Sequence, residues 1–186
     1  MNGEKKKLMF DLFKAKAEAV SSEVHRFATK TEALDFIAGF LRKEGVQDAS
    51  GRFAVWADCP LLDGADKNAL SDGVPGLSFS VSRELAAESL IGISQAEWGI
   101  ANTGTLVQDS TSVEQRLVST LPLIHVALLE SGKLQPDLAT LLARLDPRTS
   151  GYLAFITGPS RTADIERVLT IGVHGPERLI IIFVDE

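Results

Sequence analysis

An α/β fold on a mostly parallel, partly mixed sheet is what this sequence predicts, and three observations predict it. Short apolar runs alternate with helix-periodic segments through the first part of the chain, the pattern of helices packed on a parallel sheet. Residues 152–184 read as strand, loop, helix, strand. That is a crossover unit, expected to be right-handed with parallel strands and with its loop at the carboxyl edge of the sheet. Between Gly104 and Leu129 no long crossover helix intervenes, so strands at 104–108 and 123–129 are expected to pair antiparallel.

In chain order, 5–20 has helical composition, with Leu8, Leu12, Ala15 and Ala19 at spacings of three and four. A short strand at 24–27 follows. Thr31-Glu32 then opens a helix that carries Leu34, Ile37, Ala38 and Leu41 and ends near Gly45. Residues 53–56 read as a strand. Pro60, Gly64, Gly73, Pro75 and Gly76 make 57–76 an irregular excursion with one helical turn at 67–70. Strands are expected at 77–81, 91–96, 104–108 and 123–129, and a helix at 137–145. Finally, 152–156 reads as a buried strand, 163–171 as a helix with Ile165, Val168 and Leu169 on one face, and 179–184 as a buried strand. The expected organisation is an N-terminal arm of helix and short strand over 1–30, then a single α/β domain over 31–186.

Composition excludes several classes of function. The 186 residues are 45% hydrophobic, enough for a substantial core. A formal net charge of −6 at pH 7 gives no electrostatic footprint for nucleic acid or an anionic membrane. The longest apolar run, 179–184, is far short of the ~20 residues a membrane span requires. Lys5, Lys6 and Lys7 are followed by Asp11, Lys14, Lys16 and Glu18 rather than an apolar signal core, so the expected location is the cytoplasm. The single cysteine, Cys59, permits no internal disulfide, and one thiolate cannot hold an iron–sulfur cluster, which takes about four. Asp58 beside it raises its pKa, so Cys59 reads as structural.

Two constellations carry chemistry. The loop after Ile156 concentrates Thr157, Gly158, Ser160, Arg161, Thr162 and Asp164 in eight positions, residues suited to an anion. Gly158 permits close backbone approach, Arg161 can fork onto a carboxylate or phosphate, and Ser160 or Thr162 offers a hydroxyl. Asp164 opposes an anion, and a capped helix with a surface arginine explains the same residues. The second constellation, QAEWGIANTGTLV at 95–107, holds the turn Asn102-Thr103-Gly104-Thr105 and the candidate catalytic residue Glu97. Glu97 would act as general base or nucleophile if the fold buries it beside Gly158; otherwise it is a solvated strand-end carboxylate. Arg116 is a further anion clamp. His125 lies in an apolar strand, where alternation aims it into the core or toward a site and a hydrogen-bonded core histidine is the expected reading; His174, in the turn into the last strand, is better placed for a ligand. The expected anion or substrate contacts are thus Thr103, Gly104, Thr105, Arg116, Gly158, Ser160, Arg161, Thr162 and His174. No metal-ligand spacing, P-loop, dinucleotide fingerprint or nucleophile elbow is present.

AEWGIANTGTL at 96–106, RLVSTLPLIHVAL at 116–128 and ITGPSRTADIERVLTIGVHGP at 156–176 resemble the lactate utilization protein C family, the LUD domain. The resemblance spans roughly 90–186, with a weaker match in the N-terminal helices, and departs at Asn102, where the family commonly has Glu. It implies a three-layer α/β/α fold of the sugar-phosphate isomerase and CoA-transferase type. It further implies membership of a three-part cytoplasmic L-lactate oxidation system whose iron–sulfur clusters belong to partner subunits, with no cofactor in this chain. Two other roles fit the same residues: a stand-alone enzyme acting on a phosphosugar or CoA ester, and a small-anion-binding scaffold.

Overall fold

In the computed structural model, which describes residues 3–146, 148–149, 151–162 and 170–185, the first helix forms where its composition places it but turns a different face inward. Helix α1 (Gly3–Ala19) buries Met9, Phe10, Phe13 and Ala17, while Leu8 and Leu12 are 71% and 42% exposed. The aromatic stripe outcompetes the leucine stripe because it buries more apolar area per residue.

Strand β1 (Ser22–Phe27) leads to α2 (Lys30–Lys43), which opens with a capping box. Glu32 N donates to Thr29 Oγ1 at 3.2 Å and the Glu32 carboxylate accepts the N–H of Thr29 at 3.3 Å. Thr29→Ala is expected to lower the unfolding free energy by about 1 kcal/mol, seen as a lower urea midpoint at unchanged slope. Next come β2 (Phe53–Trp56), α3 (Lys67–Gly73) capped by Asp66, β3 (Leu77–Ser78) and α4 (Arg83–Ala87) capped by Ser82. The excursion at 57–76 is more ordered than its glycines and prolines imply, because Leu61, Leu62 and Val74 anchor it in the core. The chain continues as β4 (Ser89–Gln95), β5 (Trp98–Ile100), β6 (Thr105–Asp109), α5 (Val113–Thr120), β7 (Ile124–Glu130), β8 (Leu134–Gln135) and α6 (Leu138–Leu142). It ends with β9 (Leu153–Ile156), β10 (Arg161–Thr162), β11 (Thr170–Ile171) and β12 (Arg178–Val184).

Six strands make a wholly parallel sheet in the order β1-β12-β7-β4-β2-β3. Covered on both faces, its central strands are continuous apolar runs, as in the buried β12. One face packs Ile93, Val126 and Ile182 against Ile37 and Leu41 of α2. The other face meets α1, with Phe10 and Phe13 each edge-on to Phe183 at 5.0 Å between ring centroids. Also on that side lies a second, mixed sheet in the order β8-β5-β6-β9. Leu141 of α6 covers its outer side at Ile100 and Val107. Gly92 lets α5 lie against β4, since a Cβ there would stand 1.9 Å from Val118 O. Among the described residues, no helix is long and apolar enough to cross a membrane.

The α/β class and parallel central sheet hold, with the antiparallel pairs lying outside it, in the second sheet and in a two-stranded sheet of β10 and β11. Two expectations of topology are overturned. Strands β9 and β12 are not the halves of a crossover: β9 pairs antiparallel with β6, whereas β12 lies between β1 and β7. The loop after Ile156 therefore leaves the second sheet rather than the carboxyl edge of the parallel one. Of the helix expected at 163–171, residues 170–171 form β11, antiparallel to β10, and 163–169 lie outside the described residues. Strands 104–108 and 123–129 likewise do not pair, because α5 carries the chain from one sheet to the other and β7 joins β4 in parallel. The apolarity of a run reports burial and not which sheet provides it. The edge strand β9 is also only half covered, with Phe155 47% exposed.

Candidate functional site

Ligands in open parallel sheets sit at the carboxyl ends of strands where successive connections leave in opposite directions. Here the chain goes outward from β2 to β3, returns to β4 and proceeds through β7 to β12, so that point falls between β2 and β4. A cavity of about 250 Å³ opens there, lined by Cys59 and Pro60 beyond β2, Gln95 at the end of β4, Glu97 and Trp98 beyond it, and by Gln115, Glu130 and Lys133. The Gln95 side chain accepts from Leu61 N at 2.9 Å and donates to Glu130 Oε1 at 3.2 Å, fixing one wall. The Glu97 carboxylate accepts the N–H of Asp109. Burial nonetheless pushes the Glu97 carboxyl up to about 7, with the Asp109 charge adding to the rise. A carboxyl that titrates near neutrality in a cleft can give or take a proton at physiological pH. Cys59 is not an activated nucleophile, because burial raises its thiol and Asp58 adds to that.

A second cavity, of about 270 Å³, lies at the opposite, amino edge. Its walls are Ser119 and Thr120 at the end of α5, His125 and Leu179 near the starts of β7 and β12, residues 155–160 at the end of β9 and in the loop beyond it, and His174 to Pro176. His125 is 1% exposed, and burial holds its imidazole down to about 4, so it is neutral at pH 7. Its Nε2 is 2.7 Å from Ser94 Oγ, which donates at 2.7 Å to Gln108 Oε1. Gln108 Nε2 donates to Ser110 Oγ, Gln115 O and Ser119 Oγ at 3.0, 3.1 and 3.2 Å. This buried polar chain ties β7 and β4 of the parallel sheet to β6 of the second sheet and to α5.

The residues singled out from the sequence divide among several places. Gly158, Ser160 and His174 share the amino-edge cavity, but Glu97 lines the other one, two strands away through the β5–β6 and β6–β9 registers. Arg161 Nη2 donates to Val20 O at 2.5 Å and Ser21 Oγ at 3.0 Å, pinning its loop to the turn after α1. Arg116 Nη1 donates to Ser110 O at 2.6 Å and Thr111 O at 3.3 Å, with its guanidinium 5.8 Å from the Tyr152 ring centroid. Thr105 Oγ1 is 2.8 Å from both Thr103 Oγ1 and Thr157 Oγ1. Gly104 takes φ +67° in the β5–β6 turn, and a Cβ there would stand 2.3 Å from Ala17 N, so the turn is pressed onto α1. Thr162 pairs with Thr170 across β10 and β11. Sequence reasoning missed Ser94, Gln108 and Ser119, whereas the reading of His125 as a hydrogen-bonded core histidine holds. For Ser94 and Gln108 the available signal was a polar side chain inside an otherwise apolar strand; Ser119, on α5, carried no such signal.

Comparison with known proteins adds ancestry to this geometry. A family model described as the LUD domain matches residues 10–184. Lactate utilization protein C of Exiguobacterium sp. is 39% identical over 111 residues, covering 56% of this chain and 48% of that protein. Lactate utilization protein C of Bacillus pumilus is 28% identical over 155 residues, covering 77% and 64%. The chain thus spans about half to two thirds of the length of these relatives. The crystal structure of a DUF162 family protein from Deinococcus radiodurans shares the fold, with a TM-score of 0.68 at 18% identity over 96% of this chain and 98% of that one.

Proposed function

The chain belongs to the LUD domain family, and from that premise we propose that it works in L-lactate utilization, as a subunit of a cytoplasmic system that oxidises lactate to pyruvate. The observation that carries this reading is the family match over 10–184, in which relatives bear the name Lactate utilization protein C. The lone thiol supports a division of labour. Cys59 is buried and is the chain's single cysteine, so the electrons of lactate oxidation pass to cysteine-rich iron–sulfur partners rather than to a cluster in this subunit. Its own ligand is a small carboxylate. Deleting the gene is expected to abolish growth on L-lactate but not on pyruvate, and tagged protein is expected to co-purify with an iron-containing, cysteine-rich partner. Unchanged growth on L-lactate would sink the reading.

A second reading is favoured by a separate observation, the half-buried Glu97 carboxyl in the carboxyl-edge cavity. In it the chain is an enzyme in its own right, acting on a phosphosugar or CoA ester with Glu97 as general base or nucleophile. Purified protein would then turn over substrate unaided, and Glu97→Gln would remove that turnover without changing the fold.

A further inference from the structure

Hydrogen-bond logic fixes the state of the buried histidine. The carbonyl of Gln115 is an acceptor only, so the Gln108 atom that faces it is the amide nitrogen, and Gln108 Oε1 faces Ser94. The Ser94 hydroxyl has one proton, which goes to Gln108 Oε1. Ser94 Oγ therefore accepts from His125, whose proton sits on Nε2. Nδ1 is left with a lone pair and, among the described residues, no hydrogen-bond partner. A nitrogen acceptor held by the fold in one tautomer, in a side chain 1% exposed that borders a cavity, selects a ligand with a donor to offer.

The rest of the cavity narrows the ligand. About 270 Å³ lies just below the range of drug-sized pockets, which begin near ~300 Å³, so the occupant is small. Ile156, Pro159 and Leu179 supply an apolar wall that fits a short alkyl group. The lining also holds His174 and, near Gly175 beside it, Ser160, whose hydroxyl makes no hydrogen bond among the described residues.

We propose that this amino-edge cavity binds a small 2-hydroxycarboxylate, with its hydroxyl donating to His125 Nδ1 and its carboxylate accepting from Ser160 Oγ beside His174. The ligand class rests on the lactate reading above; the site rests on the histidine and its cavity. The assignment is one of binding and orientation, and no oxidation step is placed on His125.

Nitrogen NMR of the full-length protein labelled in histidine tests it without any substitution. His125 is expected to carry its proton on Nε2. L-lactate is expected to move the Nδ1 resonance toward that of a hydrogen-bonded nitrogen, while propionate, which lacks the hydroxyl, leaves it in place. By titration L-lactate should bind about tenfold or more tightly than propionate, and His125→Phe should bring it to the level of propionate. A proton found on Nδ1, an Nδ1 signal that no 2-hydroxycarboxylate moves, or undiminished lactate binding by His125→Phe would each overturn the proposal. Should His125→Phe not fold, the wild-type spectra decide alone. Loss of growth on L-lactate in the deletion strain with an unmoved Nδ1 signal would remove this site and leave the functional reading intact. Intact growth with a moving signal would do the reverse.

Discussion

Gly92→Ala is expected to lower the unfolding free energy by about 3 kcal/mol. A Cβ at this position would stand 1.9 Å from Val118 O, 2.7 Å from its carbonyl carbon and 2.8 Å from Pro122 Cγ. The two nearest atoms are backbone, so no rotamer change relieves the overlap and α5 must move away from β4. That displacement loosens the buried Val118 and also stretches the bonds from Gln108 to Gln115 O and Ser119 Oγ. Urea unfolding reads the effect directly. Gly132→Ala is the control, because a Cβ there meets nothing within 4 Å, and it should change stability by no more than about 0.5 kcal/mol. A similarly small loss at Gly92 would mean that α5 is not seated on the sheet as described.

Glu97→Gln is expected to alter how stability depends on pH. The folded carboxyl titrates at about 7, against 4.5 for the ordinary group. Between those values the folded chain retains a proton that the unfolded chain has released, so ionisation favours unfolding increasingly as pH rises. The penalty is absent below pH 4.5 and complete above about 7. Partial solvent access reduces it to about 2 kcal/mol. Glutamine keeps an oxygen for the Asp109 N–H and cannot ionise, so the variant's stability relative to wild type should rise by that amount across the window. His125 tilts both curves in the opposite sense, since its folded pKa is lowered, and the difference between the two proteins removes it. Urea midpoints measured at both ends of the window provide the check. A difference that does not vary with pH would show Glu97 to be an ordinary exposed carboxylate.

The strands of the parallel sheet were legible because a strand covered on both faces needs apolar residues at nearly every position, as β12 has. What a run of Leu, Ile and Val does not encode is its neighbour, and so β9 was assigned to the wrong sheet. Helix α1 was legible as a helix from its composition, whereas its inward face was decided by Phe183, a residue far away in the chain. At the site, the residue types of 157–162 were readable but the role of Arg161 was not. A guanidinium can donate to a backbone carbonyl instead of an anion, and Val20 O is within reach. His125 shows the complementary limit: strand alternation offered it two environments, and only the position of Gln108 on a second sheet selected between them.

The pairing of β1 with β12 has a consequence for biosynthesis. Strand β1 finds its partner in the sheet only when β12, far along the chain, has been made. While the ribosome is still adding residues, β2, β3, β4 and β7 can already associate, but Phe10 and Phe13 have no Phe183 to receive them. Until then the nascent chain carries those rings without their Phe183 contacts, a state more prone to association with its own kind.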